Sequence, residues 1–599
     1  MNQNIVITGE GILCAIGLDK SEVLSSLREK RSGIGTMKYL KSSHRELPVG
    51  EVPLSNDDMR SLLKDGTLQS QLGLDDAALV NRTTLMGILA VRQALEDAQV
   101  DGNLMKEKPM RLVLISGTTV AGMDVTENLF HQLQQSDDAL QCLKYHSAGS
   151  STRMIADYFG IFTEYTTIST ACSSAANALM LGARMLADGE ADMVVAGGTE
   201  ALSLFHLNGF NSLMILDHEP CRPFDATRAG LNLGEGAAFC VMETEAAAAR
   251  RGVEPHAWLV GYGNACDAFH QTASSETGEG AYQAMTQALQ MAGLKPEDID
   301  YVNAHGTGTA NNDMSESVAL KRVFGEHMPM VSSTKSFTGH TTSASGSIES
   351  VISILALRHG FVPANLGWSQ PMEGGIVPTS GKYSCELRYV VCNSFGFGGN
   401  DTSLVFGNER NERNESNERN GGEIRILSQV EITSEEDLAE IRDYVKPLEA
   451  RRMGKLMKSS LLSSLKALRE AGITQPDAII TGTAYGCMEN SEQLLIQLMN
   501  EGETMLKPTA FMQSTHNTIG SNIAIWLGCH GYNVTYTQEN DSMKWALHDA
   551  ECLLRSGRCK TVLVGCHDET TPLFRELMGR LGVKDLPAIH SLAMVLRIN

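Results

Sequence analysis

Two distant stretches of this chain are copies of one another. "TTISTACSSAANALMLGARMLADGEADMVVAGGTE" (166–200) aligns without a gap against "VTYTQENDSMKWALHDAECLLRSGRCKTVLVGCHD" (534–568), pairing Ala178 and Leu179 with Ala546 and Leu547, Gly189 with Gly557 and Gly197 with Gly565. The likeness runs backward as well: "LAVRQALEDAQV" (89–100) resembles "LLSSLKALREAGI" (461–473), and "LISGTTVAGM" (114–123) resembles "IITGTAYGCM" (479–488). Self-similarity on this scale marks a repeated structural unit. The second copy closes on "HSLAMVLRI" (590–598), which corresponds to the strand expected at 237–244.

The repeated unit alternates short apolar runs with amphipathic stretches. "RLVLISG" (111–117), "ADMVVAGG" (191–198) and "AAFCVME" (237–243) read as strands, and 84–98 and 279–292 as helices. Such alternation predicts an α/β fold with sheets covered on both faces. The run "NERNERNESNERNGG" (408–422) has no apolar residue and breaks the pattern. It reads as a solvated linker in preference to a charged helix, which would lack an apolar face.

Composition excludes several classes. A net charge of −22 argues against a nucleic-acid partner. No apolar run is long enough to span a bilayer, and the start lacks a basic region followed by an apolar core, so a cytoplasmic location is expected. Thirteen scattered Cys match neither a disulfide framework nor a paired-cysteine zinc site.

Cys172 is expected where strand 165–170 turns into helix 173–187. There its sulfur would face the unpaired amides and positive end of the helix, which favours thiolate over thiol. A buried structural Cys is the competing reading, and the elbow alone leaves the two balanced. Three further stretches favour chemistry. "VNAHGTGTANNDMSES" (302–317) sets His305 at a strand end before a Gly/Thr loop; "SSTKSFTGHTTSASGSIES" (332–350) carries Lys335, His340 and Glu349; "VCNSFGFGGNDTSLVF" (391–406) puts glycines around Phe395 and Phe397. "GFGGND" and "GEGAAF" lack dinucleotide-binding spacing, and "CKTVLVGCHDE" (559–569) aligns with a plain strand and turn at 191–201, not with a metal site.

With these motifs and "CRPFDATRAGLNLGEGAAFCVME" (221–243), residues 1–407 resemble the β-ketoacyl-acyl carrier protein synthases, condensing enzymes of the thiolase fold. The resemblance implies a five-layered αβαβα fold with duplicated halves, 1–245 carrying the nucleophile and 246–407 both histidines. It implies decarboxylative Claisen condensation with an acyl carrier protein as partner and no metal or redox cofactor, the substrates riding on phosphopantetheine. In that family pattern Cys172 is acylated, and His305 and His340 assist decarboxylation and hold the thioester oxygen. Lys335 and Glu349 support them, the Cys172 and Phe397 amides form the oxyanion hole, Phe397 gates the acyl pocket, and Thr307 and Thr309 touch the pantetheine. The Cys-His-His pattern implies elongation, where a degradative thiolase has a second Cys and a priming ketosynthase an Asn.

In residues 423–599 the counterpart of Cys172 is Asn540, and nothing corresponds to His305 or His340. This part resembles a truncated chain-length factor, like the partner subunits of aryl polyene ketosynthase pairs. The resemblance implies that it docks near the helix after Cys172 and the 118–123 loop, making a dimer or pseudo-heterodimer in which it shapes the acyl pocket. Ordinary fatty-acid elongation with a purely structural C-terminal unit, and a non-catalytic scaffold, are the alternatives. Arg60, Lys64 and Arg153 are candidates for a basic surface facing an acidic carrier.

Overall fold

The computed structural model describes residues 4–63, 79–100, 110–410, 422–451, 453–504 and 506–598. The linker expected at 408–422 lies outside the described residues except for its two ends. Among the described residues one continuous sheet of fifteen strands runs through the molecule. Its strands fall into three groups that repeat one order. The central group is Ile5–Cys14, Gly236–Thr244, Met193–Glu200, Leu112–Gly117 and Glu164–Ile168. Beyond Glu164–Ile168 the same order returns in reverse: Tyr532–Tyr536, Ala478–Gly482, Thr561–Glu569, Ile589–Ile598 and Ile424–Ile432. On the other flank, Ile5–Cys14 pairs antiparallel with Ala257–Cys266, the first strand of the third group.

Most of these strands are buried along their length, as expected where helices cover both faces. The helix Ser174–Ala187 is buried nearly all round, and its Ala175, Ala176, Ala178 and Gly182 allow strands to approach closely. The helix Ser345–His359 is equally buried, and both share one core with strands of the central and flanking groups. Two buried helices packed against the central and flanking strand groups, with amphipathic helices such as Arg82–Asp97 and Glu279–Ala292 outside, give the α/β layering expected from the sequence.

The internal repeat is visible as a recurring order of local elements. Strand, turn, helix and strand at Glu164–Ile168, Ala171–Ser173, Ser174–Ala187 and Met193–Glu200 recur at Tyr532–Tyr536, Glu539–Asp541, Ser542–Arg555 and Thr561–Glu569. Both turns carry the same left-handed residue, Ala171 at φ +51° and Glu539 at φ +46°, conformations uncommon outside glycine.

The two copies meet edge to edge. Ile168 pairs with Tyr536, the Ser169 amide donates to Thr535 O at 2.9 Å, and the Thr537 amide donates to Thr167 O at 3.0 Å. Beneath this strand contact Arg184 pairs with Asp549 at 2.5 Å, both side chains at most 7% exposed, and Tyr532 donates to the same carboxylate at 2.8 Å. Arg153 also faces the seam and pairs with Glu539 at 3.1 Å, so it is not part of a free carrier-facing surface. Arg60 pairs with Asp57 at 2.9 Å, and Lys64 lies outside the described residues.

Because a buried charge left without its partner costs about 3–5 kcal/mol, Asp549→Asn is expected to lower the urea midpoint of the intact chain markedly. Replacing both partners by apolar residues (Arg184→Met with Asp549→Leu) should recover most of that loss.

Candidate active site

Cys172, His305 and His340 come from three distant segments and meet. His340 Nε2 lies 3.0 Å from the Cys172 sulfur, and one nitrogen of each imidazole and the sulfur all lie within 4.8 Å of one another. The two imidazole centroids are 5.3 Å apart, edge to face, and His305 also leans on Phe395 at 6.0 Å. All three residues are at most 5% exposed.

Local structure explains each position. Cys172 sits in the strained turn after Ala171, and the 395–399 loop is pressed against that turn. A Cβ on Gly396 would lie 2.8 Å from Thr170 O and 3.2 Å from the Cys172 amide nitrogen, so only glycine permits the approach. His305 follows the short strand Tyr301–Asn303, where the His305 and Gly306 amides donate to Glu316 at 2.9 and 2.7 Å. Asp313 accepts the next amides, Thr307 and Gly308, at 3.1 and 3.2 Å. These carboxylates satisfy loop amides that would otherwise be buried without partners. His340 is fixed through its amide to Asn232 O at 2.7 Å and through Nδ1 to Ser345 Oγ at 3.1 Å.

Lys335 and Glu349 form a buried pair at 2.5 Å, each 1% exposed, close enough to act electrostatically on the imidazoles. Burial, followed by the Lys335 charge, holds both His305 and His340 well below the usual imidazole range, so both are neutral near pH 7. Burial also pushes Glu349 up to about 7, against the opposing Lys335 charge.

The sulfur departs from the expectation of a resting thiolate. Burial pushes the Cys172 thiol up to about 11, opposed by Lys335 and by the Phe397 and Cys172 amides. A helix terminus contributes roughly 0.3–1 kcal/mol, and up to about 2 kcal/mol at best. Stripping water from a fully enclosed sulfur outweighs that, so the resting group is a thiol with His340 beside it.

A cavity of about 370 Å³ joins these groups to the surface, lined by Cys172, His305, His340, Thr307, Thr309 and Phe397. The Thr307 and Thr309 hydroxyls are 2.9 Å apart on its wall. Phe397 stacks on Phe210, centroids 5.6 Å apart. A second cavity of about 280 Å³ lies at the seam between the two copies and is lined from both, by Val120, His206, Tyr485, Phe511 and Asn540 among others. Phe511 lines the second cavity and packs against Phe210, which lines the first. It contacts Phe210 at 5.2 Å and Phe205 at 6.1 Å, and Gly209 makes room for it, since a Cβ there would fall 2.2 Å from the Phe511 ring.

All eight residues expected at the site are therefore adjacent to one cavity or to its charged support. Sequence reasoning missed Glu316 and Asp313, although both stand in the quoted stretch after His305 and a loop of exposed amides calls for acceptors. It also missed Asn517, which donates to Phe397 O at 2.8 Å and to Asn400 Oδ1 at 2.7 Å. Asn517 belongs to the second copy, and nothing in its local sequence signals a contact across the seam.

Comparison with known proteins agrees with this geometry. A family model described as "Beta-ketoacyl synthase, N-terminal domain" matches residues 2–248 and 399–582, and "Beta-ketoacyl synthase, C-terminal domain" matches 256–369. The 3-oxoacyl-[acyl-carrier-protein] synthase 2 of Vibrio cholerae is 33% identical over 421 residues, 67% of this chain and 99% of that protein. The protein of that name from Staphylococcus aureus strain COL is 32% identical over 420 residues, 68% of this chain and 98% of that protein. Among solved structures, "PfaC Keto synthase-Chain length factor" covers 100% of this chain and 78% of its own, with TM-score 0.78 and 17% identity, a likeness of fold. "Ketosynthase (ApeO) in Complex with its Chain Length Factor (ApeC) from Xenorhabdus doucetiae" is 29% identical, covering 68% of this chain and 98% of its own at TM-score 0.57. The matched models span the segment of the nucleophile and the segment of both histidines, and the chain belongs to the β-ketoacyl synthase family.

Proposed function

We propose that the chain elongates an acyl thioester by decarboxylative condensation with a malonyl thioester, both delivered by acyl carrier protein, with Cys172, His340 and His305 in the reacting roles. The observation that carries this reading is the 3.0 Å contact of His340 with the sulfur, with His305 in the same cavity. As Cys172 attacks the acyl thioester, its proton passes to His340, whose neutral imidazole has a free lone pair for it. The developing oxyanion accepts from the Cys172 and Phe397 amides, and the carrier thiol leaves with a proton. The malonyl thioester then enters past Thr307 and Thr309, which hydrogen-bond its pantetheine. With His340 now in its Nε2–H tautomer and Nδ1 accepting from the Ser345 hydroxyl, neutral His305 and His340 each present an N–H to its carbonyl oxygen, so the charge released with carbon dioxide collects there as an enolate. The enolate carbon attacks the acyl-enzyme carbonyl, the carbon–sulfur bond breaks, and Cys172 leaves as a thiolate that takes up a proton from solvent to restore the thiol. Lys335, held by Glu349, reinforces the burial that keeps the imidazoles uncharged and adds a positive potential near the enolate.

We further infer that 423–599 is a chain-length-factor-like unit without catalysis of its own. Asn540 stands on the duplicate elbow where a nucleophile would be, and an amide cannot be acylated in that way. Its Asn517 holds the backbone of the Phe397 gate, and its Phe511 closes the way from the catalytic cavity to the seam cavity. The acyl chain grows toward that ring, which limits its length by closing off the space beyond. The solved relatives that pair a ketosynthase with a chain-length factor support this reading.

The two histidine roles can be separated. His305→Ala is expected to lower condensation about 10²–10⁴-fold while leaving acyl transfer to Cys172 measurable by intact mass spectrometry; equal loss of both steps would contradict the assignment. A thiol with its pKa near 11 gains thiolate about tenfold per pH unit from pH 7 to 9, so iodoacetamide labelling of Cys172 should climb through that range. A plateau near pH 7 would mean that the helix terminus wins. Phe511→Ala should shift the product distribution toward longer chains, read by mass spectrometry of carrier-bound products; an unchanged distribution would remove the pocket-shaping role.

A further inference from the structure

The seam carries a second group of ligand-type side chains, away from the catalytic cavity. His548 and Cys552 are four residues apart on the helix Ser542–Arg555 and so project from one face of it. Glu190 faces them from the turn that follows the helix Ser174–Ala187 of the other copy. His548 Nε2 lies 2.9 Å from Glu190 Oε2, while the Cys552 sulfur lies 3.4 Å from Glu190 Oε1 and 3.7 Å from His548 Nε2.

These separations suit a metal ion. Zinc bound at about 2.3 Å to sulfur and about 2.0–2.1 Å to nitrogen or oxygen, in a tetrahedron, sets its ligand atoms roughly 3.3–3.6 Å apart. The Cys552–Glu190 edge already has that length, the Cys552–His548 edge at 3.7 Å is slightly longer, and the His548–Glu190 edge reaches it by a small turn of the carboxylate. We propose that Glu190, His548 and Cys552 form a site for a divalent transition metal, Zn²⁺ by the chemistry of its donors, with its fourth position open to water and its ligands drawn from both copies. Binding would release the Cys552 thiol proton and any proton shared by His548 and Glu190, and form the metal–sulfur, metal–nitrogen and metal–oxygen bonds.

Three features support the assignment. The His548 ring is held edge-on by Trp545, centroids 5.7 Å apart and planes at 88°, which limits its rotation. His548 and Glu190 are 35% and 31% exposed, so an ion has a path in. The nearby cation, Arg184, is already neutralised by Asp549. The set is also no relic of the duplication. In the gap-free alignment the counterparts of His548, Cys552 and Glu190 are Met180, Arg184 and Arg558, and Arg558 instead donates to the Tyr262 hydroxyl at 3.0 Å. The site spans the seam without a repeat-related counterpart, and a metal there would tie the two copies together.

Cobalt(II) titration of the intact metal-free chain tests this directly. The expected result is a near-ultraviolet thiolate-to-cobalt absorption with intense visible bands of tetrahedral Co²⁺, both displaced by Zn²⁺. Cys552→Ser should abolish the thiolate absorption. His548→Ala and Glu190→Gln should each weaken binding more than about tenfold, since loss of an outer-shell partner alone costs 10–100-fold. Circular dichroism of each variant checks that it remains folded. Because Cys172, His305 and His340 form another cluster with ligand spacing, a band that survives Cys552→Ser would place the metal elsewhere and overturn the proposal, as would the absence of any thiolate band in the unsubstituted chain.

Discussion

The short antiparallel contact between Thr167–Ser169 and Thr535–Thr537 is the constraint on which the active site depends. The strand Glu164–Ile168 leads directly into the turn that carries Cys172, and without a neighbour it would be an open sheet edge beside the nucleophile. The second copy supplies that neighbour. Once the strand is fixed, the left-handed Ala171 and the buried helix Ser174–Ala187 leave the sulfur one position, beside His340 and under the 395–399 loop. The same contact brings Asn517 against Phe397 and Phe511 against Phe210, two residues that line the catalytic cavity. A polypeptide segment with no nucleophile thus braces the residues that line the active site.

The duplicate elbow shows what persists when chemistry is absent. Glu539 retains the positive φ of Ala171, a conformation with a cost of order 1–3 kcal/mol that surrounding structure must offset. Here the offset is visible. The Glu539 carboxylate pairs with Arg153, the neighbouring Gln538 accepts from Thr167 at 2.8 Å, and the turn lies against Gly149, where a Cβ would meet Thr537 O at 2.8 Å. The elbow is kept because its shape fits the seam, and the side chain at its tip, Asn540, lines the cavity there.

Much of this was legible in the sequence, for physical reasons that differ between elements. The gap-free repeat required equivalent local structure at 166–200 and 534–568, and the helix expected at 279–292 is found at Glu279–Ala292 because its apolar spacing is local information. Cys172, His305 and His340 were recognisable because glycine- and threonine-rich loops flank them in a fixed order. What escaped was whatever depends on dehydration or on contacts between distant segments. The helix end at Cys172 suggested a thiolate, whereas enclosure at 5% exposure raises the thiol. Arg153 read as a surface cation and is an interface partner of Glu539. Asn517 and Phe511 sit in a stretch whose local pattern announces only a loop and a helix, and their importance comes from the surface they meet.

The central claim is that one sulfur accepts an acyl group and releases it onto a malonyl-derived carbon under two neutral imidazoles. Peptide mapping of the intact chain after incubation with an acyl carrier thioester, with and without malonyl carrier, tests it most directly. The account predicts acyl mass on the Cys172 peptide, discharged on adding malonyl carrier into a product two carbons longer, with one carbon dioxide released per extension. Acyl mass on any other cysteine, or extension without carbon dioxide release, would contradict it.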